Sequence, residues 1–352
     1  MEKFFIQDFR NLEAGSKVEG VFAVRRKNAL QQYKGKSGYY FKIEVSDKTG
    51  SVTVNFWGRE SREEVEEVYN SFDNNDLVFI SGTIKLYNEK VEIHVNQSEG
   101  IIRKAVESEY DAEDFIPSTN QSIDDMENEL RKNVDSINTE SVNGKFINAL
   151  LLKFFDDKEF MEKFRKWPAA VMYHHACKGG LMEHTLEVVR LCNTICDIHP
   201  TGIDRDLVIA GAILHDIGKT RTIVVKGVTF QDNEESVLRD HISIAEEMII
   251  EKIDEIEIDG EKFPESLKNK LLHIILSHHG KKENGSPVEP ATPEAVAVYL
   301  SDLLSSLVTQ YIRAQKDIKS DDFKTYQKPI EWVYLDHEKK RYLNLLQQDQ
   351  DK

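Results

Sequence analysis

A histidine and an aspartate stand side by side at positions 215 and 216, directly after the apolar run 210–214. Gly218 and Lys219 follow within three residues. Burying an imidazole or a carboxylate without a partner costs several kcal/mol. A compensating group must therefore lie at the end of this predicted buried helix.

Further histidines and acids occupy other apolar helical stretches. Nine of the eleven histidines fall between positions 174 and 279. Any one of them is explained by a hydrogen bond inside a core. Together they predict a divalent-cation site. Imidazoles and carboxylates that come from separate helices would all be satisfied if they bound the same cation. The histidines and acids in these stretches are His184, His215, Asp216, His241, His273, His278, His279 and Asp302.

The helices that must position these residues form a predicted all-α domain, residues 141–318. Its pattern is helical nearly throughout, with no run of strands. Residues 105–140 predict an acidic linker and a connecting helix, with Ser122 as its N-cap. The C-terminal tail, residues 319–352, has a mixed pattern.

The sequence pattern of residues 1–104 predicts a β-domain. Five short segments rich in Val, Ile, Phe and Tyr alternate with turns, and a charged helical insert at 59–69 separates the third from the fourth. That order is typical of a five-stranded OB-fold barrel. The expected fold class is therefore multidomain α+β, with an OB-fold barrel before an all-α bundle.

One face of strands two and three is a candidate nucleic-acid interface. In "FKIEVSDKTGSVTVNFW" alternate apolar residues from 41 to 56 point to one side, and Tyr40, Lys42, Asn55 and Trp57 point to the other. OB-fold barrels stack bases on this outer face. Basic residues crowd the neighbouring loop, and those proposed to bind phosphates are Arg25, Arg26 and Lys27. The alternative is that these aromatic residues cover a domain junction or a subunit contact.

Composition narrows the class of protein. The 352 residues carry a formal net charge of −16, which predicts weak nonspecific DNA binding at physiological salt. Residues 105–140 hold 2 basic and 11 acidic side chains, so much of the acid lies outside the barrel. The longest apolar run, 207–214, is shorter than the roughly 20 residues of a membrane helix. Three cysteines are too few for a disulfide framework. We expect a cytoplasmic protein with no membrane partner.

The order of the ligands resembles the signature of the HD-domain metal-dependent phosphohydrolases, in which His184, His215, Asp216 and Asp302 fill the four positions. His241, His278 and His279 resemble the extra ligands of members that hold two metals. The resemblance implies two metal sites that share Asp216. His184, His215 and Asp302 would complete the first site, and the other three histidines would complete the second. Lys219, one turn past His215, is expected to act in catalysis by holding a phosphate oxygen or stabilising the leaving group.

The order of the two domains resembles the YhaM family of 3′–5′ exoribonucleases. The matching segments include "AGAILHDIGK", "HISIAEEMI" and "ILSHHGKKENGSPVEPATPEA", within residues 15–315. The family implies metal-dependent trimming of single-stranded RNA, and often of DNA, to nucleoside 5′-monophosphates by metal-activated water. The expected cofactor is a divalent metal, in two ions, with Mn²⁺ favoured over Mg²⁺, Co²⁺ and Fe²⁺. Two positions depart from the family pattern: Asp240 where glycine is expected and Ser305 where many HD proteins have an acid.

Two alternative functions remain at this stage. An HD phosphodiesterase of a cyclic dinucleotide or another small nucleotide would use the same metals but leaves the barrel unexplained. A non-catalytic single-strand-binding protein would use the barrel and keep the HD domain as a scaffold. A homo-oligomer is compatible with all three.

Overall fold

The computed structural model describes residues 5–35, 37–59, 61–87, 90–171, 175–226, 228–316, 324–327 and 331–334. The chain divides into two compact units, Met1–Ser118 with Val225–Gln231 and Thr119–Val224 with Asp232–Lys352. The first boundary falls inside the predicted linker 105–140. Most of the predicted tail, 319–352, lies outside the described residues.

The first unit contains a closed β-barrel. Its regular elements are β1 (Lys17–Lys27), β2 (Gln31–Gln32), β3 (Tyr39–Asp47), β4 (Gly50–Trp57), α1 (Arg62–Asn70), β5 (Leu77–Tyr87), β6 (Lys90–Asn96) and β7 (Ile101–Lys104). Strand β1 pairs with β3, β3 with β4, β4 in parallel with β6, β6 with β5, and β5 again with β1. Short 3-10 turns flank the barrel at Ile6–Asn11, Glu107–Glu109 and Ala112–Asp114. The predicted five-stranded OB-fold is confirmed, with α1 between its third and fourth barrel strands.

The inward face of the barrel follows the predicted alternation. Phe41 pairs with Phe56 in the β3–β4 ladder, and Ile43 pairs with Val54. All four side chains are buried, and the two phenylalanine rings stack with centroids 4.8 Å apart. Because side chains alternate along a strand, the residues between them lie on the outer face.

The second unit is mainly helical. Its helices are α2 (Ile123–Asp135), α3 (Val142–Phe155), α4 (Lys158–Lys166), α5 (Gly180–Ile198), α6 (Arg205–Leu214), α7 (Lys219–Thr222), α8 (Glu234–Asp254), α9 (Glu265–Ser277) and α10 (Pro293–Lys316), with a 3-10 turn at Lys282–Asn284. Ser122 caps α2 as predicted, by accepting the N–H of Asp125. The buried face of α2 joins the core of this unit.

Short hairpins interrupt the series of helices along the chain after residue 119, although the sequence pattern predicted no run of strands there. They pair β8 (Ile223–Lys226) with β9 (Thr229–Asp232) and β10 (Glu257–Ile258) with β11 (Glu261–Lys262). Near the C terminus β12 (Lys324–Gln327) pairs with β13 (Glu331–Tyr334). The first hairpin has β-branched residues on both sides of its turn, which favours strands. The long helical pattern on either side obscured this signal.

Helix α6 forms the centre of the helical core. Asp204 caps its N terminus by accepting the N–H of Leu207, and every residue from Leu207 to Leu214 is buried. Helices α5 and α10 pack against it. The segment Pro293–Gln315 of α10 is the one described segment long and apolar enough to cross a membrane, but a third of it is buried. It also carries Asp302, so one such helix is weak evidence for a membrane span.

Candidate metal centre

Five helices of the second unit bring the predicted ligands to one place. His184 lies on α5, His215 and Asp216 follow the last turn of α6, and His241 lies on α8. His278 and His279 follow α9, and Asp302 lies on α10. Gly218 permits the close approach of the turn after Asp216 to α8, because a β-carbon there would lie 2.0 Å from the carbonyl oxygen of His241.

The ligands form two triads. His184, His215 and Asp302 offer one atom each within 4.8 Å of one another, and His241, His278 and His279 do the same. In the first triad Nε2 of His184 lies 3.0 Å from Oδ1 of Asp302 and 3.3 Å from Nε2 of His215. The first triad is wholly buried, whereas the second is partly open to solvent.

Asp216 lies between the triads and turns one oxygen to each. Its Oδ2 is 3.3 Å from Nε2 of His215 and 3.5 Å from Nε2 of His184. Its Oδ1 is 3.3 Å from Nε2 of His241 and 3.7 Å from Nε2 of His278. A carboxylate in this position can bridge two cations.

Buried atoms at the centre fit a divalent metal. Oδ1 of Asp216 and Nε2 of His241 and His278 are buried and make no hydrogen bond within the described part of the chain. Such orphaned polar atoms are costly in a folded protein. Imidazole nitrogen and carboxylate oxygen are the donors that Mn²⁺, Fe²⁺, Co²⁺ and Zn²⁺ accept. The side chains at this centre therefore fit a divalent metal ion.

Four of the five imidazoles, those of His184, His215, His241 and His278, direct Nε2 to the centre, and Nδ1 of all five is engaged elsewhere. A carbonyl or carboxylate oxygen can only accept, so a ring that bonds one through Nδ1 must carry its proton there and keep a lone pair on Nε2. The partners of Nδ1 are the carbonyl oxygens of Ala212 for His215 (2.7 Å), Ile275 for His278 (2.6 Å) and Asn284 for His279 (3.2 Å), Oγ of Ser305 for His184 (3.0 Å) and Oδ1 of Asp240 for His241 (2.7 Å).

The pKa shifts of three candidate ligands, Asp216, Asp302 and His279, suit a cation. Burial alone would raise the pKa of Asp216, but Lys219 beside it holds that pKa well below its ordinary value. Burial likewise opposes ionisation of Asp302, and His184 nevertheless keeps the pKa of that carboxyl below its usual range. Burial lowers the pKa of His279 to about 3. Anionic carboxylates and a neutral imidazole are the forms that bind metal.

Lys219 is held at the centre. Its Nζ donates to Oδ2 of Asp216 at 2.6 Å, and 13% of its side chain is exposed. The ammonium group therefore lies beside the predicted bridging carboxylate, as its position one turn past His215 predicted.

Glu187 is a site residue that the sequence analysis missed. The hydroxyl of Ser305 donates to Oε2 of Glu187 at 2.6 Å and accepts from Nδ1 of His184. Oε1 of Glu187 lies 3.3 Å from Nε2 of the buried His175. Glu187 supplies a carboxylate from α5 at the point where α10 has serine in place of the expected acid. Its spacing of three residues from His184 on one helical face could have revealed it.

His273 is held outside the two triads. Nε2 of His273 accepts the N–H of Ala291 at 2.9 Å and so ties α9 to the loop before α10. His273 is therefore a structural residue. His174 lies outside the described residues.

The outer face of the barrel carries an aromatic cluster, Tyr33, Tyr40 and Trp57. Ring centroids of Tyr33 and Tyr40 are 5.2 Å apart, and those of Tyr40 and Trp57 are 5.4 Å apart. Nε1 of Trp57 donates to Nδ1 of His94, which orients the indole. Tyr33 comes from the loop before β3, so strand alternation could not predict it.

The other predicted interface residues have unequal exposure. Lys42 is partly exposed and Arg26 is exposed. Asn55 is buried and donates to Oε2 of Glu92 on the neighbouring strand β6. These three lie on or beside the predicted face, but the side chain of Asn55 is covered and not exposed as predicted.

Two of the predicted phosphate-binding residues make contacts within the barrel unit. The Lys27 ammonium donates to the carbonyl oxygen of Phe72 at 2.6 Å and lies 3.9 Å from the centre of the Tyr69 ring, with 8% of its side chain exposed. Arg25 donates to Ser46 and to the carbonyl oxygen of Phe115. These basic groups are drawn in because a long side chain can cover apolar surface and still satisfy its donors.

Comparison with known proteins agrees with both domains. The HD domain model matches residues 181–307, and a model described as an OB-fold nucleic acid binding domain matches residues 17–99. Residues 181–307 thus resemble an HD domain and carry candidate ligands for a divalent metal, and the region that resembles an OB-fold domain precedes them in the sequence. More particularly, the chain is homologous to the 3′–5′ exoribonucleases YhaM over most of its length.

Individual relatives show the extent of the similarity. YhaM of Shouchella clausii is 29% identical over 314 residues, covering 89% of this chain and 91% of its own. YhaM of Bacillus subtilis is 27% identical over 315 residues, covering 88% and 91%. A replication protein A heterotrimer bound to ssDNA overlaps 28% of this chain and 63% of its own at 20% identity, but its TM-score of 0.19 is too low to bear on function.

Replacing Ser305 by alanine is expected to weaken metal binding by about 10–100-fold, because the hydroxyl linking His184 to Glu187 is lost and the ring is no longer oriented. Calorimetric titration of the metal-stripped protein with Mn²⁺ measures this. Ser301→Ala is the control, since Ser301 is a buried serine of the same helix whose hydroxyl contacts Cys192. Equal losses in both variants would contradict the orienting role of Ser305.

Proposed function

We propose that this chain is a metal-dependent 3′–5′ exoribonuclease that shortens single-stranded RNA, and also single-stranded DNA, one nucleoside 5′-monophosphate at a time. The observation that carries the proposal is the Asp216 carboxylate, whose two oxygens face separate triads. Homology to YhaM over most of the chain supports the same reaction. Each turnover adds water across the terminal phosphodiester: the P–O3′ bond breaks, and the shortened strand leaves with a 3′-hydroxyl.

The residues that would hold two divalent ions are the two triads and Asp216. Bound there, two ions supply Lewis-acid activation of water and charge stabilisation at the scissile phosphate. The two carboxylates suit Mn²⁺ and the five imidazoles suit Fe²⁺ or Zn²⁺, and Mn²⁺ is proposed because of the resemblance to the YhaM family. The protein contributes imidazoles already oriented with Nε2 inward and carboxylates already ionised, so little reorganisation accompanies binding.

Lys219 would stabilise charge at the reacting phosphate. Its ammonium is largely buried and held by Asp216, so it lies within reach of a group bound between the triads. A positive charge in a site of low dielectric stabilises developing negative charge more strongly than it would in water. Lys219 is therefore proposed as a catalytic residue alongside Asp216.

The barrel would bind the strand by stacking. The aromatic cluster of Tyr33, Tyr40 and Trp57 offers partly exposed rings, and Lys42 and Arg26 add positive charge near it. Aromatic platforms bind single-stranded bases with little sequence preference, because every base has a π-face. Because the aromatic cluster lies on the outer face of the barrel, we favour strand binding over the alternative that the cluster covers an apolar junction.

The test is a time course on RNA labelled at its 5′ end, with Mn²⁺, beside a circular RNA of the same sequence. We expect a ladder that shortens from the 3′ end, release of nucleoside 5′-monophosphates, and an intact circle. Cleavage of the circle would overturn the exonuclease assignment. Intact linear RNA with metal-loaded protein would overturn the nuclease altogether, and hydrolysis of a cyclic dinucleotide in that case would favour the small-nucleotide phosphodiesterase.

A further inference from the structure

Asp240 has a backbone conformation that aspartate rarely adopts. It interrupts α8 with φ 62° and ψ 153°, between two helical stretches. A positive φ combined with so large a ψ is essentially restricted to glycine, because a β-carbon crowds the neighbouring backbone. A strained residue persists where its surroundings require it. The side chain of Asp240 therefore needs an explanation that glycine would not provide.

The side chain bonds the metal-ligand candidate next to it. Oδ1 of Asp240 lies 2.7 Å from Nδ1 of His241 and also accepts the N–H of Ile242 at 3.1 Å. A carboxylate oxygen cannot donate, so a proton lies on Nδ1, and in the neutral ring Nε2 keeps its lone pair. That Nε2 atom faces Oδ1 of Asp216 at 3.3 Å.

We infer that Asp240 is a positioning residue for the triad of His241, His278 and His279, acting through the ring of His241. Among the five imidazoles, His241 is the one whose Nδ1 bonds directly to a carboxylate within the described residues. A carboxylate partner fixes the ring and increases its basicity, which strengthens metal binding. The inference rests on the proposed metal-dependent function.

Replacing Asp240 by glycine separates the effect of the backbone conformation from the effect of the carboxylate. Glycine would adopt the same φ and ψ without strain and leave Nδ1 of His241 without its acceptor. Asparagine would keep an acceptor oxygen but remove the charge. If Asp240 served the fold alone, its conversion to glycine would lower the stability and weaken both metal steps alike. If it is a positioning residue, the conversion weakens one step even if the fold becomes more stable.

The experiment is a calorimetric titration of the metal-stripped full chain with Mn²⁺, for the parent and for Asp240→Gly, Asp240→Asn and Asp259→Gly. We expect two binding steps in the parent. In Asp240→Gly one step weakens about 10–100-fold and the other is retained, and Asp240→Asn recovers part of the loss. Asp259 is the matched control, since it also has a positive φ, 55°, in the turn between β10 and β11. Its variant should bind as the parent does.

Thermal unfolding of the metal-free proteins separates positioning from folding. We expect the midpoint of Asp240→Gly to stay level or rise by about 2–4 °C. A fall in midpoint with equal weakening of both steps would overturn the inference in favour of a structural role. Two steps unchanged within threefold in Asp240→Gly would overturn it while leaving the proposed function intact. A parent chain that binds no Mn²⁺ would overturn both.

Discussion

Replacing Asp216 by alanine is expected to lower the rate of RNA hydrolysis at least about 10³-fold. One carboxylate serves both triads, so its loss removes a ligand from each site at once. It also leaves the Lys219 ammonium without its 2.6 Å partner. A remaining ligand set of five imidazoles and Asp302 would bind metal more weakly and without a bridge. Initial rates on 5′-labelled RNA with Mn²⁺ measure the loss.

Two variants control this prediction. Asp216→Asn keeps the shape of the side chain while removing its charge, and we expect a loss of similar size. Asp206→Asn changes a carboxylate at the other end of the same helix, where it accepts the N–H of Asn138, and should leave the rate within a few-fold of the parent. Circular dichroism checks that each variant is folded. More than a tenth of the parent rate in metal-loaded Asp216→Asn would exclude a bridging role for the carboxylate.

Replacing Trp57 by alanine is expected to raise KM for a long single-stranded RNA about 10–100-fold, since stacking of one base on an aromatic ring contributes about 1–3 kcal/mol. Removal of the indole also leaves Tyr40 without the ring at 5.4 Å. The kcat should change little, because the barrel face is proposed to bind the strand and to take no part in hydrolysis. A dinucleotide, whose hydrolysis depends under this proposal on the metal centre alone, should be hydrolysed as by the parent.

Trp57→Phe and Tyr87→Ala provide the comparison. Phenylalanine keeps a ring at the position and should recover most of the affinity. Tyr87 is an exposed tyrosine at the end of β5, with 64% of its surface accessible, and is not part of the aromatic cluster. Steady-state kinetics on a series of RNA lengths gives KM and kcat for each variant. If Trp57→Ala binds long RNA as tightly as Tyr87→Ala does, the face does not capture the strand.

The sequence alone determined the two folds and identified the candidate ligands. Period-two alternation placed Phe41 opposite Phe56 and left Trp57 outside, because a strand turns successive side chains to opposite faces. Capping chemistry is equally local, and it located Ser122 at the start of α2. The seven candidate ligands stood out because titratable residues in apolar helices need partners. Their order along the chain carried the family resemblance.

Local sequence patterns did not predict which residues on the outer face of the barrel are exposed and which are covered. Lys27 and Asn55 have the spacing of interface residues, yet each meets partners within the barrel unit that are distant in sequence. Tyr33 joins the aromatic cluster from a loop that has no periodicity. A pattern shows which side of an element a residue occupies, but the residues that cover that side come from elsewhere in the chain.

Tertiary structure alone decided how the ligands are held. The Ser305 hydroxyl meets Glu187 across 118 positions of sequence, and together they orient His184. Asp240 stood out in the sequence only as a departure from the expected glycine, and its φ of 62° and its bond to His241 give that departure a physical meaning. Residue type and order therefore specify which atoms can bind a metal. The direction in which each imidazole points depends on hydrogen-bond partners and backbone angles that exist only once the helices have packed.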